Sequence, residues 1–171
     1  MAGQLIQVET NTVTSAVSSV TLTGIDSDDV YMVTYNSATP TTDDKNLYIR
    51  FTVSGTADSS ANYDFAEKIL KADGAFTTNG NTNQTSHIIS YGVGSATGEN
   101  ANAILYLYNF NNSSEYSFMT KEPVYTALDN NAEGHTGGVV LTVAQACDGV
   151  EFFLESSDTF EAGTFTLYKV V

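Results

Sequence analysis

The stretch Leu47-Tyr48-Ile49-Arg50-Phe51-Thr52-Val53 decides the fold class. Leu47, Ile49, Phe51 and Val53 fall on one side; Tyr48, Arg50 and Thr52 fall on the other. A period of two is the pattern of a half-buried β-strand and does not suit a helix. The residue types agree, because β-branched and aromatic side chains pack well on a pleated surface. The same alternation recurs along the chain. Val20 and Leu22 alternate with Thr21 and Thr23; Tyr31, Val33 and Tyr35 alternate with Met32 and Thr34. Val139, Leu141 and Val143 share a face, Phe153 stands opposite Phe152 and Leu154, and Thr164-Phe165-Thr166-Leu167-Tyr168 closes the chain. Ile104, Tyr106 and Tyr108 alternate with Leu105 and Leu107, which predicts a strand with two apolar faces.

Turn residues separate these runs: Asp26-Ser27-Asp28-Asp29, Ala38-Thr39-Pro40 with Asp43-Asp44, and Gly55 to Ser60. Asn79-Gly80-Asn81, Gly98-Glu99-Asn100, Asn111 to Ser114, Gly137-Gly138 and Asp148-Gly149 read as further reversals, since glycine and asparagine tolerate positive φ. The pattern predicts roughly nine or ten strands in one domain. The architecture expected is all-β, an antiparallel two-sheet β-sandwich, jelly-roll-like. One segment resists: Phe65-Ala66-Glu67-Lys68-Ile69-Leu70-Lys71-Ala72 is rich in helix formers. The reading there is a strand at the start, with a short helix after it as the alternative. Residues 1–12 are polar apart from Leu5, Ile6 and Val8 and read as an arm or edge strand; residues 13–171 form the sandwich. Leu5, Ile6 and Val8 are the candidate partner-binding residues.

The 171 residues are enough for a real core without disulfides, and 42% of them are hydrophobic, too many for a disordered chain. Twenty acidic residues against six basic ones give a net charge of −14. Such a surface repels phosphate backbones and anionic lipid, so neither nucleic acid nor membrane is an expected partner. Cys147 is the only cysteine and forms no internal bridge. The start carries no basic segment followed by an apolar one, so no secretion signal is expected.

Candidate chemistry is sparse. The histidines are His87, in a strand pattern, and His135, in what reads as the loop Glu133-Gly134-His135-Thr136-Gly137; neither lies near a nucleophile pattern. One cysteine and two separated histidines do not make a zinc site, and Cys147 reads as a packed small hydrophobe. Asp26, Asp28 and Asp29, and Asp43-Asp44, are acidic clusters that lack the glycine and terminal glutamate of a twelve-residue calcium loop. Glu151 and Glu155 flank Phe153 on one face, a geometry that glycoside hydrolysis could use, though a solvated acidic strand looks the same. Gly92 to Gly98 lacks the lysine of a phosphate loop. Tyr106, Tyr108, Tyr116 and Tyr125 could line a sugar-binding face or fill core and interface. The expectation is no enzyme, no cofactor and no metal.

The ordered set of motifs resembles a β-sandwich family of virion structural proteins in tailed phages of marine bacteria. The motifs are Val20-Thr21-Leu22-Thr23-Gly24-Ile25 with Val30-Tyr31-Met32-Val33, Leu47 to Thr52, and Ser60 to Ala66. Gly94 to Glu99, Leu105 to Asn109, Asp148 to Phe153 and Ala162 to Tyr168 complete the set. The likeness runs from about residue 17 to the end, and Lys169 stands where the family's usual glycine follows the final Leu-Tyr. The resemblance implies a module found alone or at the ends of tail fibres, without catalytic residues. The chain has neither a long stalk nor an attachment domain, which favours a capsid decoration or cement protein over a tail fibre or host-binding module. The expected partners are the phage major capsid protein or other virion proteins and further copies of this chain, a trimer being one candidate. The expected place is the particle exterior, after assembly in the host cytoplasm. A calcium-dependent carbohydrate-binding module is a third reading.

Overall fold

The computed structural model describes residues 3–127 and 131–171. Thirteen strands lie in the described residues: β1 (Leu5–Val13), β2 (Ser19–Thr23), β3 (Tyr31–Pro40), β4 (Lys45–Val53), β5 (Thr56–Ala57), β6 (Tyr63–Lys71), β7 (Phe76–Gln84), β8 (His87–Val93), β9 (Ala101–Tyr108), β10 (Ser117–Thr126), β11 (Ala132–Leu141), β12 (Gly149–Leu154) and β13 (Phe160–Val170). The only helical element among them is the short 3₁₀ turn Glu155–Ser157. No helix of the described residues is long and apolar enough to cross a membrane.

All strand pairings are antiparallel, and they form two sheets. The larger sheet runs β1-β13-β3-β9-β10-β11-β6-β7. The smaller runs β2-β12-β4, with β5 and β8 both pairing along the far side of β4. The all-β two-sheet sandwich expected from the alternation is present, with more strands than the nine or ten anticipated. The inward row of β4 is Leu47, Ile49 and Phe51, none more than 1% exposed. Aromatic rings from both sheets interlock behind it. Tyr35 meets Phe152 edge-on at 5.7 Å, Phe152 lies 5.1 Å from Phe165, and Phe51 lies 4.5 Å from Phe110. Such pairs add specific geometry to apolar burial.

Several local readings change. The helix alternative after Phe65 is absent, because β6 is one strand through Lys71. Tyr63, Glu67 and Ile69 turn inward there, and pairing with β7 and β11 overrides helix propensity. Asn79-Gly80-Asn81 is not a turn: it lies inside β7, where Gly80 pairs with Ala66. Gly137-Gly138 is not a reversal either, since both residues lie inside β11. A Cβ on Gly137 would collide with the Ala66 carbonyl oxygen, so glycine serves close strand approach there. β3 continues through Ala38 to Pro40, its register broken by Ser37 at φ +54, and the break falls at residues 41–44. β1 is an edge strand, hydrogen-bonded to β13 from Leu5↔Val170 to Val13↔Gly163. Residues 1 and 2 of the expected arm lie outside the described residues.

Candidate docking surface

Exposed apolar bulk is concentrated on one side of the molecule. The outward face of the larger sheet carries Ile104 and Tyr106 on β9, Phe118 and Val124 on β10, Leu70 on β6 and Phe76 on β7, all more than a third exposed. The strand register arranges them in rows. One row reads Tyr168, Met32, Tyr106, Thr120, Gly138, Ala66 and Gly80 across β13, β3, β9, β10, β11, β6 and β7. A second places Tyr108, Phe118, Val140 and Asp64 side by side, and a third places Val124, Gly134, Leu70 and Phe76. Ala66, Thr120 and Gly138 lie in a trough of about 420 Å³ that Phe118, Val140 and Thr82 also line. Between the first and third rows runs a polar one, with Glu122 beside Ile104 and Thr136, Lys68 and Thr78 in line. The face thus carries separate apolar patches with a polar strip between them, and exposed apolar patches of this kind mark interaction sites.

Leu5, Ile6 and Val8 are exposed at the corner of the same sheet, at 52%, 49% and 37%. Val8 also reaches Gly24, where an added Cβ would come within 2.9 Å of its Cγ1.

The outer face of the smaller sheet is different in kind. Tyr48, Phe153 and Arg50 form a layered stack: the rings lie 5.2 Å apart and nearly parallel, and the guanidinium sits 4.3 Å from the Phe153 centroid. Arg50 also stands 3.9 Å from Glu151. Glu155 opens the 3₁₀ turn, accepts a hydrogen bond from Asn46 at 2.9 Å, and lines a hollow of about 510 Å³ together with Glu151, Tyr48, Arg50 and Phe153. The two carboxylates considered for hydrolysis thus line one hollow, Glu151 beside Arg50 and Glu155 bonded to Asn46.

A buried polar network, which the alternation of apolar residues does not foreshadow, lies between the sheets. Lys121 Nζ lies 2.5 Å from Glu67 Oε2, with both side chains fully buried. His135 Nδ1 donates to the same oxygen at 3.0 Å, and Tyr91 donates to Glu67 Oε1 at 2.9 Å. The Tyr125 hydroxyl donates to Glu133 at 2.7 Å and lies 2.8 Å from His135 Nε2, while Lys71 pairs with Glu133. Lys121 also donates to the carbonyls of Ile88 and Ile89, at 2.7 and 3.3 Å, which ties β8 to the larger sheet. Burial alone would raise the Glu67 carboxyl, but His135 and Lys121 outweigh it and hold it down at about 2. Burial pulls Lys121 down to about 8, against the pull of Glu67. Each carboxylate in this network is already paired, which makes it an anchor.

His135 is thus in a strand and buried, not in a loop. Tyr125 is buried in the same network and does not share a face with the outward Tyr106. His87 is fully buried on β8, 4.6 Å ring to ring from Phe65, and neither ring nitrogen has a hydrogen-bond partner among the described residues. Burial, and then the charge of Lys121, push its pKa well below the ordinary histidine value. Cys147 packs against Ser117 in the core, and burial raises its thiol to about 11. The Asp26–Asp29 cluster is occupied by Lys169, whose ammonium lies 2.8 Å from Asp29, 3.9 Å from Asp26 and 2.7 Å from Ser27 Oγ. Asp43 accepts from the Ser95 amide at 3.1 Å, a loop-closing bond. Among the described residues, no group of three or more His, Cys, Asp or Glu side chains is placed to hold a metal ion.

No family model matches the chain, and no curated protein matches it. Alignments to solved structures include two strains of infectious bursal disease virus. The Gx strain structure is 9% identical with a TM-score of 0.15, and the Gt strain structure is 10% identical with a TM-score of 0.10. A third, the T13 particle of the same virus, is 12% identical with a TM-score of 0.13. Each alignment covers 99% of this chain and 39–41% of the other. At these TM-scores the likeness assigns neither fold nor role.

Proposed function

We propose that this chain is a non-catalytic structural protein of a virus particle, a decoration protein on the exterior of a tailed-phage capsid. In this reading it bridges neighbouring major capsid subunits and braces the shell against internal pressure. The observation that carries the reading is the set of exposed apolar side chains on the outward face of the larger sheet, Ile104, Tyr106, Phe118, Val124, Leu70 and Phe76. Leu5, Ile6 and Val8 add exposed apolar surface along the β1 edge, with Ile6 and Val8 turned to the other side. A face of this kind gains most when a partner covers it. Charge narrows the partner further. Arg50, Lys71, Lys121 and Lys169 each stand beside a carboxylate of this chain, so most of the positive charge is spent internally. The remaining acidic surface favours a neutral or basic patch on the shell.

The test adds purified protein to capsids that lack it and measures occupancy by co-sedimentation. Binding by the wild type, lost in Phe118→Glu and Tyr106→Glu, is the expected result; Leu5→Glu with Ile6→Glu reports on the β1 corner. Point variants are needed because deleting β1 would strip the edge of β13. Undiminished occupancy in every variant would sink the docking face. A second reading, a tail-fibre or receptor-binding module, draws on the exposed rings of Tyr106, Tyr116 and Phe118. Glycan binding by the isolated protein, abolished by Tyr106→Ala, would move the assignment there.

A further inference from the structure

The larger sheet ends in β1 and β7, and the two edges are defended differently. On β1 the register breaks between Gln7 and Glu9. The Glu9 carboxylate turns away to accept the Thr23 amide at 2.5 Å, and Val8 packs toward Gly24. A bulge and an inward-turned charge are devices that keep an edge from pairing with another chain. β7 pairs with β6 in unbroken register over Phe76 to Asn81, and its irregularity falls beyond, between Asn81 and Gln84, where the Asn83 amide bonds to Asp64 at 2.8 Å. From Phe76 to Gln84 it holds no charged residue and no proline, in a chain with 20 acidic residues.

The free side of β7 can be located from its hairpin. The Lys71 amide donates to the Ala75 carbonyl at 3.0 Å. Antiparallel alternation then assigns Thr77, Asn79 and Asn81 to hydrogen bonds with β6, and turns the peptide groups of Phe76, Thr78 and Gly80 outward. The sequence about that edge is a palindrome, Thr78-Asn79-Gly80-Asn81-Thr82. A second copy of the strand, related by a twofold axis at Gly80, sets Thr78 opposite Thr82 of the other copy and Asn79 opposite Asn81. Thr–Thr cross-strand pairs stabilise sheets, and an uncharged strip is where two chains of net charge −14 repel least.

We propose that β7 is a self-association edge. Two copies pair their β7 strands antiparallel about Gly80 and fuse their larger sheets into one, through an isologous contact. The Thr82 amide, bonded at 3.0 Å to its neighbour Asn81 Oδ1, joins the ladder on pairing, and Asn83, at φ +56, ends it. The pairing runs along the backbone edge of β7 and borders the docking face at Phe76 and Thr82, so capsid docking, read through Tyr106 and Phe118, and self-association, read through Thr78, can fail separately.

The test is sedimentation velocity of the full chain from micromolar to millimolar concentration, at low and high salt. A monomer–dimer equilibrium that tightens with salt is expected, because screening weakens the repulsion of like-charged copies. Thr78→Glu with Thr82→Glu puts like charges opposite each other in both symmetric pairs and weakens the dimer by roughly tenfold or more. Thr78→Glu with Thr82→Lys places opposite charges at the same positions and restores it. Both positions are exposed, and an unchanged melting temperature verifies the fold of each variant. A chain that stays monomeric throughout overturns the proposal. So does a dimer that neither variant alters, and equal weakening by both overturns the register.

Discussion

The Lys121 ammonium sits 2.5 Å from the Glu67 carboxylate, with neither side chain reaching solvent. The pair joins β10 to β6 and, through the Ile88 and Ile89 carbonyls, holds β8 against the larger sheet. A buried pair owes its desolvation cost to both partners, so the informative experiment removes one and then both. Lys121→Met alone leaves Glu67 charged and buried, and is expected to cost about 3–5 kcal/mol in urea unfolding. Glu67→Leu combined with Lys121→Met removes the unpaired charge and recovers part of that loss, the remainder reflecting His135, Tyr91 and the Ile88 and Ile89 carbonyls left without these partners. A single variant as stable as wild type would show that the pair anchors nothing.

Acid should weaken the fold in two stages. His87 is neutral when folded, its pKa depressed by burial, while in the unfolded chain it takes a proton near 6.5. Below that pH the unfolded state binds a proton that the folded state refuses. Stability is therefore full above pH 6.5 and falls as the pH drops, by up to about 1.4 kcal/mol per unit. Glu67 adds a lower stage: its carboxyl titrates near 2 when folded and near 4.5 when unfolded, so its contribution is present above 4.5 and lost between 4.5 and 2. Urea midpoints across this range test the order. His87→Leu should flatten the upper stage and leave the lower one in place.

The two sheets were legible because most inward positions are apolar and recur at every second residue, as Leu47, Ile49 and Phe51 do. The polar network was not legible, because its members break that rule one at a time. Glu67 and Lys121 look like solvated residues until β6 and β10 turn both inward, and His135 follows two small or charged neighbours that read as loop. Glycine misled for a related reason. In Gly80, Gly137 and Gly138 the missing side chain serves strand approach rather than a turn, and sequence does not distinguish these uses. The exposed face was partly visible, since Ile104 and Tyr106 opposite Leu105 and Leu107 already announced a strand apolar on both sides.

Lys169 accounts for the acidic turn at Asp26–Asp29. Its ammonium bonds to Asp29 and Ser27, and that hydrogen bond from Lys169 holds the Asp29 carboxyl below the ordinary carboxylate range. Calcium needs several oxygens around one point, and here a cation already fills it. Added calcium is expected to leave the melting temperature of the wild type unchanged. In Lys169→Met the same addition should raise it. A rise in the wild type of equal size would mean that calcium binds elsewhere or displaces the lysine.

Gly137 links the backbone to the buried pair. A Cβ there would strike the Ala66 carbonyl and come within 2.8 Å of the Glu67 Cβ. Gly137→Ala must therefore push β6 away from β11 and drag Glu67 from Lys121 and His135. The expected loss is about 1–3 kcal/mol, typical of overpacking. Its origin can be separated from simple crowding by a double-mutant cycle with Glu67→Gln. If the alanine acts by displacing the carboxylate, the two losses overlap and the double variant is less destabilised than their sum. Strict additivity would mean that β11 shifts without disturbing the ion pair, and would place the glycine's role in strand spacing alone.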